Sequence, residues 1–89
     1  MRVAIPTWEG RISPVFDTAR HLVCFDVTGE CCEPAGEMTM SSDLLHAKLA
    51  TLNALRADVL LCGAISRPLA ETVSAGGIRV IPFLAGEVN

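Results

Sequence analysis

The chain has no basic excess. Seven Lys and Arg stand against ten Asp and Glu, a formal net charge of −3, whereas a general nucleic-acid binder carries a positive stripe or patch. Long apolar runs are missing too. The longest covers residues 59–65, far short of the roughly 18 residues of a membrane span. The apolar stretch after Arg2 is broken at Pro6, too early for the core of a secretory signal. These absences predict a soluble cytoplasmic domain with no nucleic acid and no membrane among its partners. The four cysteines, Cys24, Cys31, Cys32 and Cys62, form neither a C-x-x-C pair nor a regular framework, which suits a reducing compartment. No glycine-rich phosphate loop occurs, and neither His21 nor His46 has a serine or carboxylate at a telling spacing. The expectation is a protein that is not an enzyme.

Apolar residues make up 51% of the 89 residues and the mean hydropathy is +0.44, which excludes disorder. The length predicts one domain. A chain this short buries only about 60–65% of its extended surface, so its core must be dense or shared with a partner.

Residues 2–7 read as a first strand, apolar without clean alternation, as in a strand covered on both faces. Residues 8–19 read as an irregular loop containing Gly10 and Pro14. Residues 21–27 form a second strand, turned at Gly29 into a returning strand over 31–40 that Pro34 and Gly36 demote to a bulged edge. The period then changes: Leu45, Leu49 and Leu52 recur at helical spacing, with Ser41 or Ser42 as cap, Asp43 in the first turn and Lys48 snorkelling outward. A short apolar strand over 58–63 leads into a helix opened by Ser66-Arg67-Pro68 and closed by Gly76-Gly77. Residues 78–83 are the last strand. The fold class is α/β: a mixed five-stranded sheet in the order β-β-β-α-β-α-β, its first half an antiparallel hairpin, flanked by helices on its faces.

Cys62 lies in the most apolar run and Cys24 alternates with Leu22, so both read as small core residues. Cys31 and Cys32 are adjacent on a strand and point to opposite faces, which does not converge two thiols on one metal. Ligands of open α/β sheets bind outside the carboxyl ends of the parallel strands. Here those ends carry Trp8, then Ser66 and Arg67, then residues 84–86. Ser66 and Arg67 also open a helix, whose free N–H groups favour an anion; the plainer alternative is an N-cap and a solvated charge. Trp8 either folds back onto the core or stacks on a ligand. The first strand carries no acidic residue, so a metal-dependent nuclease of the ribonuclease H kind lacks its leading ligand.

Four segments together resemble the dinitrogenase iron–molybdenum cofactor biosynthesis family over nearly the whole chain. They are Met1-Arg2-Val3-Ala4-Ile5-Pro6, the loop Gly10-Arg11-Ile12-Ser13-Pro14-Val15-Phe16-Asp17-Thr18-Ala19, Asp58-Val59-Leu60-Leu61-Cys62-Gly63-Ala64-Ile65, and Ala75-Gly76-Gly77-Ile78-Arg79-Val80. Val15 and Asp17 stand where many members have histidine and glycine. The resemblance implies a ribonuclease H-like single domain over 1–89 that carries an iron–molybdenum type or related molybdenum/iron–sulfur cofactor. It further implies protein partners that donate or accept that cofactor. The expected site combines charge from Arg11 and Arg67, hydrogen bonds from Ser13 and Ser66, and an apolar wall from Trp8 and Phe16. An interaction or regulatory module without a cofactor is the alternative.

Relatives continue with a further helix that would begin near Asn89, where this chain stops. Two helices do not cover both faces of the sheet, so self-association through the uncovered face, most simply as a homodimer, is expected. The alternative is that residues 84–88 fold back as a flap.

Overall fold

A computed structural model describes residues 1–88; Asn89, where the relatives' further helix would begin, lies outside them. The order is β1 (Arg2–Trp8), β2 (Arg11–Ile12), a single 3-10 turn (Phe16–Thr18), β3 (His21–Thr28), β4 (Cys31–Thr39), α1 (Leu45–Ala54), β5 (Val59–Leu61), α2 (Arg67–Ala75) and β6 (Arg79–Ile81). The strands form one six-stranded mixed sheet, β4-β3-β1-β5-β6, with β2 paired to β1. β3 runs antiparallel to β1 and β4, while β5 is parallel to β1 and β6. The expected five-stranded sheet therefore gains a strand. Part of the stretch read as irregular loop turns back at Glu9 and Gly10 and pairs Arg11 with Trp8 and Ile12 with Thr7.

The hairpin and its edge strand follow the sequence. Gly29 takes φ 59 in the turn, a conformation open to glycine at little cost, and the β3–β4 register shifts opposite Pro34 and Gly36. β4 can tolerate a proline because its outer N–H groups face no further strand.

Alternation decides which residues form the core. Ala4, Leu22, Cys24, Leu60 and Cys62 project from one side of the sheet and are almost fully buried under Leu52 of α1 and Leu69 and Val73 of α2. The two helices contact each other on that side. Both helices lie on this side, so the expectation of flanking helices is met on one face and the other face is the uncovered one. The opposite side leaves Ile5, Val23, Phe25, Leu61 and Ile81 half-buried. Residues 84–88 do turn back, with Ile12 N–H donating to Gly86 O (2.9 Å) and Val88 N–H to Gly10 O (3.0 Å). They leave a groove of about 260 Å³ between Val88, Ile12, Phe25 and Cys32.

Three local expectations fail at α1: the serine cap, Asp43 in the first turn, and an outward Lys48. Neither Ser41 nor Ser42 caps it: Leu44 occupies the cap position without a side-chain bond. Ser42 Oγ accepts from Leu44 N–H instead, and Asp43 is drawn off to pair with Arg20. Lys48 does not snorkel outward. It is 1% exposed, because the side chain turns inward to Ala19 O, Met40 Sδ and the face of the Phe16 ring.

Candidate functional site

The site is built where β1 ends and β3 begins. Antiparallel pairing brings Thr7 opposite His21, and the intervening loop returns along the end of β5. Ser13 N–H donates to Pro6 O, Ala64 N–H to Pro14 O and Phe16 N–H to Ala64 O, each at 2.8 Å. This close approach needs a glycine at position 63: a Cβ there would sit 2.6 Å from the carbonyl oxygens of both Ser13 and Pro14.

Loop and strands enclose a pocket of about 360 Å³ lined by Thr7, Trp8, Ser13, Val15, Thr18, Arg20 and His21, with Pro14 and Ala19. Its lining includes a guanidinium, an imidazole and hydroxyls, and neither a carboxylate nor a thiol. In a chain of net charge −3, such a local set favours an anion. An adjoining hollow of about 300 Å³ shares Thr7 and His21 but carries Glu37, so the first cavity is the better anion site.

Of the residues expected from sequence, Trp8 and Ser13 line this pocket and the others do not. Trp8 is 58% exposed, with its ring on the pocket wall. Ser13 is buried and its hydroxyl donates to Val15 O at 3.3 Å. Arg11 is an exposed residue of β2 and the register partner of Trp8, so the two project from the same face of that ribbon. Phe16 is fully buried in the core and presents no wall to a ligand. Ser66 is the N-cap of α2, its Oγ accepting from Leu69 N–H at 3.4 Å, and Arg67 is solvated on the first turn. The N-terminus of α2 is also already served: Asp17 Oδ1 accepts from Ser66 N–H at 2.8 Å. The chain thus places its own carboxylate where an anion was expected.

Thr18, Arg20 and His21 were not read as site residues. Arg20 and His21 stand at a loop–strand boundary, and only the antiparallel pairing of β3 with β1 carries them to the carboxyl end of β1. Arg20 is shared with Asp43 in a half-exposed ion pair that holds the Asp43 carboxyl below its usual range.

Behind the pocket wall lies Lys48. Its Nζ donates to Ala19 O at 2.9 Å, touches Met40 Sδ at 3.9 Å and stands 5.0 Å from the centroid of the Phe16 ring. Burial lowers its pKa.

Cys24 and Cys62 are buried, as expected, and Cys31 and Cys32 are exposed. Burial pushes the Cys62 thiol up to about 11. Among the described residues no group of three or more His, Cys, Asp or Glu is placed to hold a metal ion, and no helix is long and apolar enough to cross a membrane.

The model of the dinitrogenase iron–molybdenum cofactor family matches residues 1–89, and the chain belongs to that family. No curated protein matches the sequence. Among solved structures, PH0822 superposes with a TM-score of 0.87 at 24% identity, covering 98% of this chain and 81% of its own. A Methanocaldococcus jannaschii protein, provisionally described as a dinitrogenase, gives 0.70 at 17% identity over 99% of this chain and 79% of its own. A Thermotoga protein provisionally described as NifB gives 0.68 at 24% identity over 98% and 79%. At these identities the likeness is one of fold.

Proposed function

We propose that the chain is a non-enzymatic carrier or accessory protein that holds a preformed, anionic iron–molybdenum or related metal–sulfur cofactor as cargo, in exchange with proteins that donate and accept it. The observation that carries this reading is the pocket between Trp8 and His21, whose lining holds Arg20, His21 and hydroxyl residues and no carboxylate, in an acidic chain. Family membership supplies the class of cargo. The donor set fits an electrostatic hold: Arg20, His21 and Thr18 line the pocket, and Arg11 stands beside Trp8. With no cluster of metal ligands among the described residues, the cofactor would arrive assembled, and the pocket's work is to orient it and limit water. The ribonuclease H-like reading of the sheet is supported by a strand order with β1 central, in which β3 alone among the long strands runs opposite to the rest.

The test is an anaerobic titration with tetrathiomolybdate, a dianionic molybdenum sulfide, followed by the emission of the single tryptophan, Trp8. Saturable quenching, weakened at least ten-fold in an Arg20→Gln, His21→Gln double variant, supports the reading. No binding by the wild type, or equal binding by the variant, refutes it.

A module that binds no cofactor remains the second reading, and Phe83 favours it. This aromatic is 78% exposed and held at φ 64 just beyond β6. A bulky residue there costs on the order of 1–3 kcal/mol, which suits a contact residue for another protein. Protein purified without oxygen that contains no iron or molybdenum, and takes up none when offered cluster, would favour this reading.

A further inference from the structure

Lys48 is unfavourable for folding on three counts. Its ammonium is buried, with 1% of the residue exposed. It belongs to neither of the ion pairs among the described residues, which join Arg2 to Asp26 and Arg20 to Asp43. It also sits in the first turn of α1, where the helix dipole disfavours a cation. One carbonyl, one thioether and one aromatic face are its partners, and these return less than the desolvation of an unpaired ion costs. The charged groups that act on it are Asp43, just before α1, Arg20 in the loop, and Asp17 in the 3-10 turn. Asp43 and Arg20 are already paired with each other, and Asp17 is bound to Ser66.

The direction in which Lys48 is aimed supplies a reason. Its Nζ contacts the carbonyl of Ala19, and Thr18, Ala19 and Arg20 form one wall of the pocket. The ammonium therefore lies against a residue of the pocket wall, behind a lining that holds Arg20 and His21 and no carboxylate. We propose that Lys48 is the buried half of an anion site, its missing counter-charge being the ligand that occupies the Trp8–His21 pocket. This rests on the carrier reading for the location of the ligand, and adds that a charge outside the pocket's own lining determines the preference for polyanionic cargo. In a medium screened less than water, a buried unit charge acts on a dianion across the wall with an energy equivalent to about ten-fold or more in affinity.

The experiment compares wild type with Lys48→Gln, which keeps a donor for Ala19 O without the charge, and Lys48→Met, which removes both. Tetrathiomolybdate, molybdate and sulfate are each titrated against Trp8 emission. Both variants should bind every dianion about ten-fold more weakly, while melting no lower than wild type at neutral pH. Wild-type affinity should fall as pH rises through the titration of Lys48, followed independently by the NMR shift of its Cε. Any contribution of His21 is common to wild type and Lys48→Gln and cancels in their ratio. If Lys48→Gln binds as tightly as wild type, Lys48 is only a tie for the loop and the proposal is wrong. If the wild type binds none of the three anions, or binds them equally before and after Lys48 has titrated, it is wrong as well. If molybdate and sulfate bind with Lys48 dependence but tetrathiomolybdate does not, the anion site stands and the metal–sulfur carrier reading falls.

Discussion

Replacing Gly63 with alanine isolates the contact that builds the site. The added Cβ would lie 2.6 Å from two backbone oxygens, those of Ser13 and Pro14. Neither is the end of a flexible side chain, so the loop itself has to move. Three 2.8 Å backbone hydrogen bonds resist, from Ser13 to Pro6, Ala64 to Pro14 and Phe16 to Ala64, each worth about 0.5–1.5 kcal/mol. Two residues further on, Phe16 is fully buried, so a shift also strains a packed core, at typically about 1–3 kcal/mol. Allowing for partial relaxation, the expected loss is about 2–5 kcal/mol, a large share of the roughly 5–15 kcal/mol that holds a domain together. With a urea slope of roughly 1 kcal/mol per M, the midpoint should fall by about 2 M or more. Gly76→Ala is the control. Its Cβ would meet Leu49 Cδ1 at 3.2 Å, a methyl that can rotate away, and its φ of −78° suits alanine. Paired urea titrations should therefore separate the two, with Gly76→Ala within about 0.5 kcal/mol of wild type. If Gly63→Ala unfolds together with Gly76→Ala, the close approach of loop and strand is not what holds the pocket in place.

Cys24 and Cys62 should label slowly in the folded protein and Cys31 and Cys32 fast, since Cys62 is buried with its thiol near 11 while the vicinal pair is exposed. Cys62→Ala should cost about 1 kcal/mol or more, read from the denaturation midpoint; rapid modification of native Cys62 would contradict the core. The Asp26 carboxyl is held below its usual range by hydrogen bonds from Arg2. Its contribution is therefore present above the ordinary carboxylate pKa and lost as pH falls towards the depressed value. Melting curves across the acid range should accordingly be flatter for Asp26→Asn than for wild type; equal slopes would remove the ion pair from the argument. The half-buried apolar side of the sheet, Ile5, Val23, Phe25, Leu61 and Ile81, leads us to expect a two-fold dimer. Light scattering that gives a monomer mass at all concentrations would exclude it.

Much of this molecule follows from its sequence, because the decisive signals are local. Alternation in residues 21–27, the Gly29 turn, the leucine spacing of α1 and the Ser66–Pro68 opening of α2 all act over a few residues, and each element lies close to where those signals put it. The burial of Cys24 and Cys62 follows from the same periodicity. What the tertiary structure decided depends on which distant residues meet. The pairing of β1 with β3 carries Arg20 and His21 to the pocket, and Lys48 and Phe16, 32 positions apart in the chain, are buried against each other. Asp17, 49 residues away from Ser66 in the chain, takes the helix N-terminus that the sequence had offered to a ligand. Local propensity cannot see such contacts, since whether a side chain is buried, paired or free is fixed by the segments folded against it.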